Sequence, residues 1–266
     1  MLGSAAEAED IVQDVWLRWQ CANRSAVENP AAFLATTATR LCINLLQSAQ
    51  SRHETYVGTW LPEPVDASRD PGLGAERSEA LQFAVLLLLE ELTPTERAAY
   101  VLREAFDYSY RQIVEILQLE EANSRQLVSR ARKHIADGRR IPASSHEQRR
   151  FLDVFIGAAQ KGDMARLEGL FAEDVVSYAD GGGIVRAARV PVAGRERVAK
   201  FIAAVSSHFW NGVTLSWVQV NGQASILKSR NGETSGLVSI DVSDQGIDRI
   251  IWIMRPSKLS AIAKSA

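Results

Sequence analysis

The stretch LTPTERAAYVLREAFDYSYRQIVEILQLEEANSRQLVSRARKHI, residues 92–135, decides the reading of this chain. Its apolar spacing predicts three helices, the last one basic. Thr93 caps the first, with Pro94 at the first helical position and Glu96 in the first turn. The second runs from about Ser109 to Leu117. The third starts near Asn123, after the short break Gln118–Ala122, and ends near Ala136. Two helices joined by so short a break, the second basic, predict a helix-turn-helix. At about 100° per residue, Ser124, Leu127, Val128, Ala131 and Ile135 fall on one side of the third helix. Gln126, Ser129, Arg130 and Lys133 lie opposite, with Arg125 and Arg132 on the flanks. Residues 122–140 hold Arg125, Arg130, Arg132, Lys133, Arg139 and Arg140 against one acid, Asp137. A solvated basic face is the plain alternative. The preceding helix and the tight turn favour a nucleic-acid interface.

The chain has 266 residues, room for one to three domains, and a hydrophobic content of 46%, that of folded globular protein. Net charge is −2, so DNA binding has to come from a local patch or from a partner that supplies most of the affinity. Val85–Leu89 is the densest apolar run. It is too short to span a bilayer and ends at Glu90-Glu91. The first residues, MLGSAAEAED, are acidic and do not read as a signal peptide. Cys21 and Cys42 are the only cysteines and read as reduced thiols of a cytoplasmic protein. His53, His134, His146 and His208 are scattered without metal-ligand spacing, so no metal or other cofactor is expected.

Ser4, with Glu7 three residues on, predicts a capped helix to Gln20. Ile11, Val12, Val15, Trp16 and Trp19 form its apolar stripe; Asp10, Gln13, Asp14 and Arg18 lie on the polar side. Asn29-Pro30 starts a second helix, Ala31 to about Ala49. Phe33, Leu34, Leu41, Leu45 and Leu46 are for burial there, with Thr36, Thr37, Thr39, Arg40, Asn44 and Gln47 polar. Residues 1–51 form this first unit. Residues 52–75 read as a linker, because Pro62, Pro64 and Pro71 forbid a continuous helix. Inside it, Trp60-Leu61-Pro62-Glu63-Pro64 is too apolar for a solvated spacer and predicts a docked anchor. Residues 76–140 hold another helix, Glu76–Leu92, and the helix-turn-helix. Residues 141–145 are a second linker.

Residues 146–259 follow a different pattern, ahead of a tail at 260–266. His146–Lys161 and Met164–Phe171 are predicted helices, Val175–Tyr178 a strand, Asp180–Gly183 a tight loop, and Ile184–Val190 a second strand. Gly194–Phe209 is a helix with Val198, Phe201, Ile202 and Val205 inward. Strands follow at Thr214–Val220, Gln223–Lys228, Thr234–Val242 and Ile247–Met254. Asn221-Gly222 is a type I′ hairpin signal. Helices followed by a curled antiparallel sheet predict an α+β domain with a cone-like pocket. The expected architecture is therefore multi-domain: two all-α units and one α+β cone.

These residues resemble a known family. AEAEDIVQDVWLRW (residues 5–18) is similar to the region-two helix of bacterial sigma factors of the extracytoplasmic-function type, and residues 92–135 to their region-four helix-turn-helix. WLPEP (Trp60–Pro64), the glycine loop Asp180-Gly181-Gly182-Gly183 and RPSKL (Arg255–Leu259) resemble the motifs of the group with a fused SnoaL-like, or NTF2-like, C-terminal domain. In that group the glycine loop usually continues with lysine, where Ile184 stands. Its last motif usually reads Asn-Pro-Asp-Lys, where this chain has Arg255-Pro256-Ser257-Lys258. Its members also carry roughly one more helix before residue 1, so residues 1–51 are expected to be region two without its first helix.

The resemblance implies a transcription initiation factor, not an enzyme. Its partners would be core RNA polymerase, through the β′ clamp helices and the β flap, and promoter DNA. Asp10, Gln13 and Asp14 would face the clamp helices. Arg40 and Asn44 would meet the −10 element. Arg125, Gln126, Ser129 and Arg130 would stand nearest the bases of the −35 element, since arginine pairs bidentately with guanine and glutamine with adenine. Arg132 and Lys133 would hold phosphates, with Tyr110 and Arg111 adding a contact. Trp60, Leu61, Pro62, Glu63 and Pro64 would dock on Asp180, Gly181, Gly182, Gly183, Arg255, Pro256, Lys258 and Leu259 and regulate the factor in cis. The cone leaves room for an unknown small ligand near Tyr178, Trp210, Trp217 and Trp252, although their spacing fits core packing better. Two other functions stay open: a ligand-responsive DNA-binding regulator, and an enzyme using Asp180 and His208 as acid and base.

Overall fold

Short caps set most helix starts in this fold. The computed structural model describes residues 1–53, 56–65, 82–138 and 140–263. It divides into two compact units, one built from residues 1–55 and 85–139, the other from 56–84 and 140–266.

The first unit is helical. Helix α1 (Ala5–Cys21) starts where the Ser4 side chain accepts from the Glu7 amide. A single 3₁₀ turn, Arg24–Ala26, leads to α2 (Pro30–His53). Trp19 and Phe33, ring centroids 5.6 Å apart, join α1 to α2. Then come α3 (Phe83–Glu90), α4 (Pro94–Glu104), α5 (Tyr110–Leu117) and α6 (Glu121–Gly138). The helix expected from Glu76 is described only from Phe83; residues 76–81 lie outside the described residues. Thr93 closes a full capping box with Glu96, and Ser109 one with Gln112.

Two apolar clusters hold this unit. Val85, Leu88, Leu89 and Leu92 pack on Ala131 and Ile135; Ala99, Leu102, Ile113 and Ile116 pack on Leu127 and Val128, with Ala35 of α2 against them. Helix α2 thus packs on α4 and α5. That contact corrects one expectation: Thr39, assigned to the polar side, is buried, while Phe33, Leu34, Leu41, Leu45 and Leu46 are only half-buried. On α1, Ile11 is buried but Val12, Trp16 and Leu17 stay exposed, Trp16 by 58%.

The second unit is the α+β cone. Helices α7 (Ser145–Lys161), α8 (Met164–Leu170) and α9 (Arg195–Phe209) cover one face of a six-stranded sheet. The strands are β1 (Phe171–Asp180), β2 (Val192–Ala193), β3 (Val213–Val220), β4 (Gln223–Arg230), β5 (Glu233–Ser243) and β6 (Gly246–Ile253), in the order β2-β1-β6-β5-β4-β3. Helix α10 (Pro256–Ala263) follows and packs on β5. Asn221 and Gly222 take φ of 54° and 72° and turn β3 into β4; Asn231 and Gly232, at 53° and 81°, turn β4 into β5.

Two expectations are corrected here. The sheet is not wholly antiparallel, because β1 pairs in parallel with β6. Ile184–Val190 is not a strand. The amides of Ile184 and Val185 turn back onto the Gly181 carbonyl, and the strand that pairs with β1 is the short β2. Of the aromatic residues whose spacing fits core packing, Trp210 and Trp252 do lie in the core with Phe155 and Phe209. Trp217 is partly exposed under the Arg149 guanidinium, 4.4 Å from its ring centroid. The entry to this unit is anchored as well: Arg140 pairs with Asp174 and Asp248, and the Ala143 amide donates to the Val242 carbonyl at 2.8 Å.

Candidate functional site

The helix-turn-helix is positioned by its turn. Gln118 caps α5 in the left-handed region, φ 54°, and redirects the chain into α6. On α6, Ser124, Leu127, Val128, Ala131 and Ile135 are all buried, while Arg125, Gln126, Ser129, Arg130, Arg132 and Lys133 are all exposed. The spacing in the sequence therefore separates the two faces correctly.

Several of these bases are held by carboxylates. Arg125 bonds Glu121 at 2.6 Å, Arg130 reaches Glu96 at 3.2 Å, and Arg132 puts two donors on Glu104, at 2.7 and 3.0 Å. Glu104 is also the main reason the Arg132 pKa is raised. Arg111 lies 3.5 Å from Glu115, and Tyr110 sits under both Arg103 and Arg125. Exposed pairs of this kind are weak, about 0–1 kcal/mol, so they do not lock the guanidinium groups in place. Arg40 and Asn44 are exposed on α2, and Asp10, Gln13 and Asp14 are exposed on α1.

A second site lies within the cone unit, at the end of β1. The Asp180 carboxylate is fully buried. Its Oδ1 accepts from the Tyr56 hydroxyl at 2.6 Å and the Gly182 amide at 3.0 Å; its Oδ2 accepts from the Leu61 amide at 3.1 Å and Lys258 Nζ at 2.7 Å. Lys258 also donates to the Leu61 carbonyl and stands 4.3 Å from the Trp60 ring centroid. Leu61, Pro62 and Pro64 are buried and Glu63 half-buried. Downstream, the Val65 amide donates to Asn221 Oδ1 at 3.0 Å, and the Asn221 amide to the Val65 carbonyl at 2.8 Å.

The glycines let this clamp close. A side chain on Gly181 would strike the Val185 carbonyl. Gly182 and Gly183 take φ of 60° and 72°, and a Cβ on them would lie 2.8 Å from Arg255 Cδ and 3.0 Å from Val57 Cβ. Arg255 in turn donates to the Tyr56 hydroxyl at 3.1 Å. Leu259 is buried, but Pro256 is exposed and serves to start α10. Burial, and then donation to Asp180, raise the Tyr56 pKa to about 12. Burial lowers that of Lys258, with the Asp180 charge opposing.

A carboxylate has about four acceptor positions, and four donors meet Asp180. Little capacity remains for proton transfer to a substrate. His208, its expected acid–base partner, is exposed at the end of α9, not among the groups that bond Asp180. Sequence reasoning missed Tyr56, Asn221 and the Arg140 anchor. Asn221 announces only a turn in the sequence, and nothing local marks Tyr56 or Arg140 as partners of residues more than a hundred, or at least thirty, positions away. Among the described residues there is no group of three His, Cys, Asp or Glu side chains placed to hold a metal. No helix among them is long and apolar enough to cross a membrane.

The Sigma-70 region 2 family matches residues 1–52, and the Sigma-70 region 4 family residues 82–135. ECF RNA polymerase sigma factor SigJ of Mycobacterium tuberculosis is 34% identical over 271 residues, covering 98% of this chain and 84% of that protein. The chain belongs to the extracytoplasmic-function RNA polymerase sigma factors. Probable ECF RNA polymerase sigma factor SigI of the same organism is 28% identical, with 98% and 89% covered. The crystal structure of Mycobacterium tuberculosis extracytoplasmic function sigma factor SigJ superposes on this sigma factor with a TM-score of 0.75 at 30% identity, covering 97% of this chain and 91% of that one. The α6 face and the Asp180 clamp therefore sit in a protein of the transcription-initiation family.

Proposed function

We propose that this sigma factor joins core RNA polymerase in the cytoplasm, reads a promoter with α2 and α6, and is regulated by its own cone domain. The observation that carries the regulatory part is the clamp of residues 56–65 on Asp180 and Lys258. Promoter elements near −10 and −35 stand about 25 base pairs apart, roughly 85 Å at 3.4 Å per step. A compact unit of about 110 residues has a radius of gyration of only about 13 Å. With α2 packed on α4 and α5, one such unit cannot serve both elements at once. The chain from His53 to Phe83 reaches at most about 100 Å when fully extended. Holding residues 56–65 on the cone removes much of that reach, and releasing them restores it.

The polymerase contact is assigned to α1, where Asp10, Gln13 and Asp14 stand beside exposed Val12, Trp16 and Leu17. Free protein should self-associate through so apolar a face. Sedimentation velocity should show concentration-dependent association that Trp16→Glu abolishes, together with polymerase binding. A wild type that stays monomeric at tens of micromolar would contradict the first half.

The −35 contact is assigned to α6. Arg130→Ala should cost about 1–3 kcal/mol on the cognate duplex and relax base preference. Lys133→Ala should weaken all sequences alike and flatten the salt dependence. Arg132, doubly held by Glu104, suits a phosphate better than a base. Fluorescence anisotropy on matched and scrambled duplexes tests both variants; unchanged affinity in both removes α6 from the interface. The match to region 2 over residues 1–52 favours this reading over a DNA-binding regulator that never meets polymerase.

A further inference from the structure

The cone's sheet ends on two edges of unlike build. One is β2, only two residues long, and so short a strand offers little to pair with. The other is β3, Val213–Val220, eight residues that pair with β4 without a bulge. It holds no charged residue, no proline and no glycine. None of the usual guards against strand addition stands on it.

The Asn221-Gly222 turn fixes which backbone groups of β3 stay free. In a two-residue hairpin the flanking pair, here Val220 and Gln223, is hydrogen-bonded. Alternation then commits Thr214, Ser216 and Val218 to β4. It turns the amides and carbonyls of Val213, Leu215, Trp217 and Gln219 to the open side. At Asn221, the next outward position, the edge already takes an extended segment: the Asn221 amide donates to the Val65 carbonyl at 2.8 Å. Among the described residues no strand other than β4 pairs with β3.

The side chains beside this edge select the partner. Val213 and Leu215 pack toward the core, so Trp217 and Gln219 share their face. There a hollow of about 420 Å³ opens between the start of α7 and β3, lined by Ser145, His146, Arg149, Trp217 and Gln219 and by no acid. Arg149 is exposed over the Trp217 ring, and no carboxylate pairs with it among the described residues. Glu147, nearby on the same helix, is spent on the Ser144 cap.

We propose that the β3 edge binds an extended, acidic protein segment as a further strand. The segment's main chain pairs with the outward groups of Leu215, Trp217 and Gln219. Every second side chain points toward the hollow, where a carboxylate meets Arg149. A second copy of this chain fits the backbone as well, but antiparallel pairing about a two-fold axis brings both Arg149 groups to one face of the joined sheet. Like charges at one interface disfavour that pairing, whereas an acidic segment supplies the missing charge. The surface uses no residue of α6 and none that bonds Asp180.

Amide hydrogen exchange by NMR on the full-length protein, with and without the probe peptide Ac-TVEVEVT-amide, tests this. In the free protein the Leu215, Trp217 and Gln219 amides should exchange at least tenfold faster than those of Thr214, Ser216 and Val218. The probe should protect the first set and leave the second unchanged. Ac-TVKVKVT-amide should bind at least tenfold more weakly, and Arg149→Glu should reverse that preference. The glutamate probe N-methylated at its valines and glutamates keeps the charge and should not bind. Slow exchange of the outward amides in the free protein, equal binding of the two charges, binding of the methylated probe, or no binding at millimolar probe would each overturn the proposal. Protection of the outward amides that rises with protein concentration alone would also overturn it, making a second copy the occupant.

Discussion

Replacing Asp180 by alanine destabilises the cone unit by about 3–5 kcal/mol, the usual loss when one partner of a buried ion pair is removed. The variant leaves Lys258 buried without a counter-charge and strips acceptors from the Tyr56 hydroxyl and the Leu61 and Gly182 amides. Part of the loss is recovered by release of residues 56–65, which lets water reach Lys258. Two signals should therefore appear together in urea unfolding and hydrogen exchange: a lower midpoint, and free exchange of the Leu61 amide. Asp180→Leu combined with Lys258→Met should regain most of the stability, since an apolar pair carries no desolvation penalty, but should not restore the hold on the Leu61 amide. A loss below about 1 kcal/mol in Asp180→Ala would show that the carboxylate does not close the clamp.

Glu90→Ala should destabilise the helical unit by a similar amount, about 3–5 kcal/mol. Arg97 is buried, and its Nη1 and Nη2 donate to the two Glu90 oxygens at 2.8 and 3.1 Å. Such bidentate pairs are strong and geometrically specific. Nη1 also donates to the Met1 carbonyl at 3.2 Å, which ties the start of region two to α4. Without Glu90 the guanidinium stays in an apolar corner beside the helices that carry α6. Glu96→Ala is the comparison. It removes one capping box and the exposed Arg130 pair, for about 1 kcal/mol. Thermal unfolding by circular dichroism should rank Glu90→Ala well below Glu96→Ala; equal midpoints would contradict the buried-pair argument.

What the sequence made legible was local. The α6 face follows from spacing, because a buried stripe at helical period leaves little choice of side. Thr93, Ser109, Asn221-Gly222 and Gly182-Gly183 announce caps and turns through their own backbone chemistry. What it hid was non-local. Thr39 looks polar, and only packing of α2 on α4 and α5 buries it. Ile184–Val190 reads as a strand, yet Gly181 turns the chain back and Val185 and Ala187 pack on the core from a loop. The parallel β1–β6 pair joins residues far apart in the chain. Trp60 and Leu61 stood out as too apolar for a linker, but Tyr56 did not, because a tyrosine carries no mark of the aspartate it will meet 124 positions later.

Hydrogen exchange at the Leu61 amide, in the free sigma factor and in its complex with core polymerase and promoter DNA, tests the central claim most directly. The clamp predicts slow exchange in the free protein and rapid exchange in the promoter complex, when the chain from His53 to Phe83 has to extend. Equal protection in the two states would contradict control by release of this segment, and rapid exchange in the free protein would contradict the clamp itself.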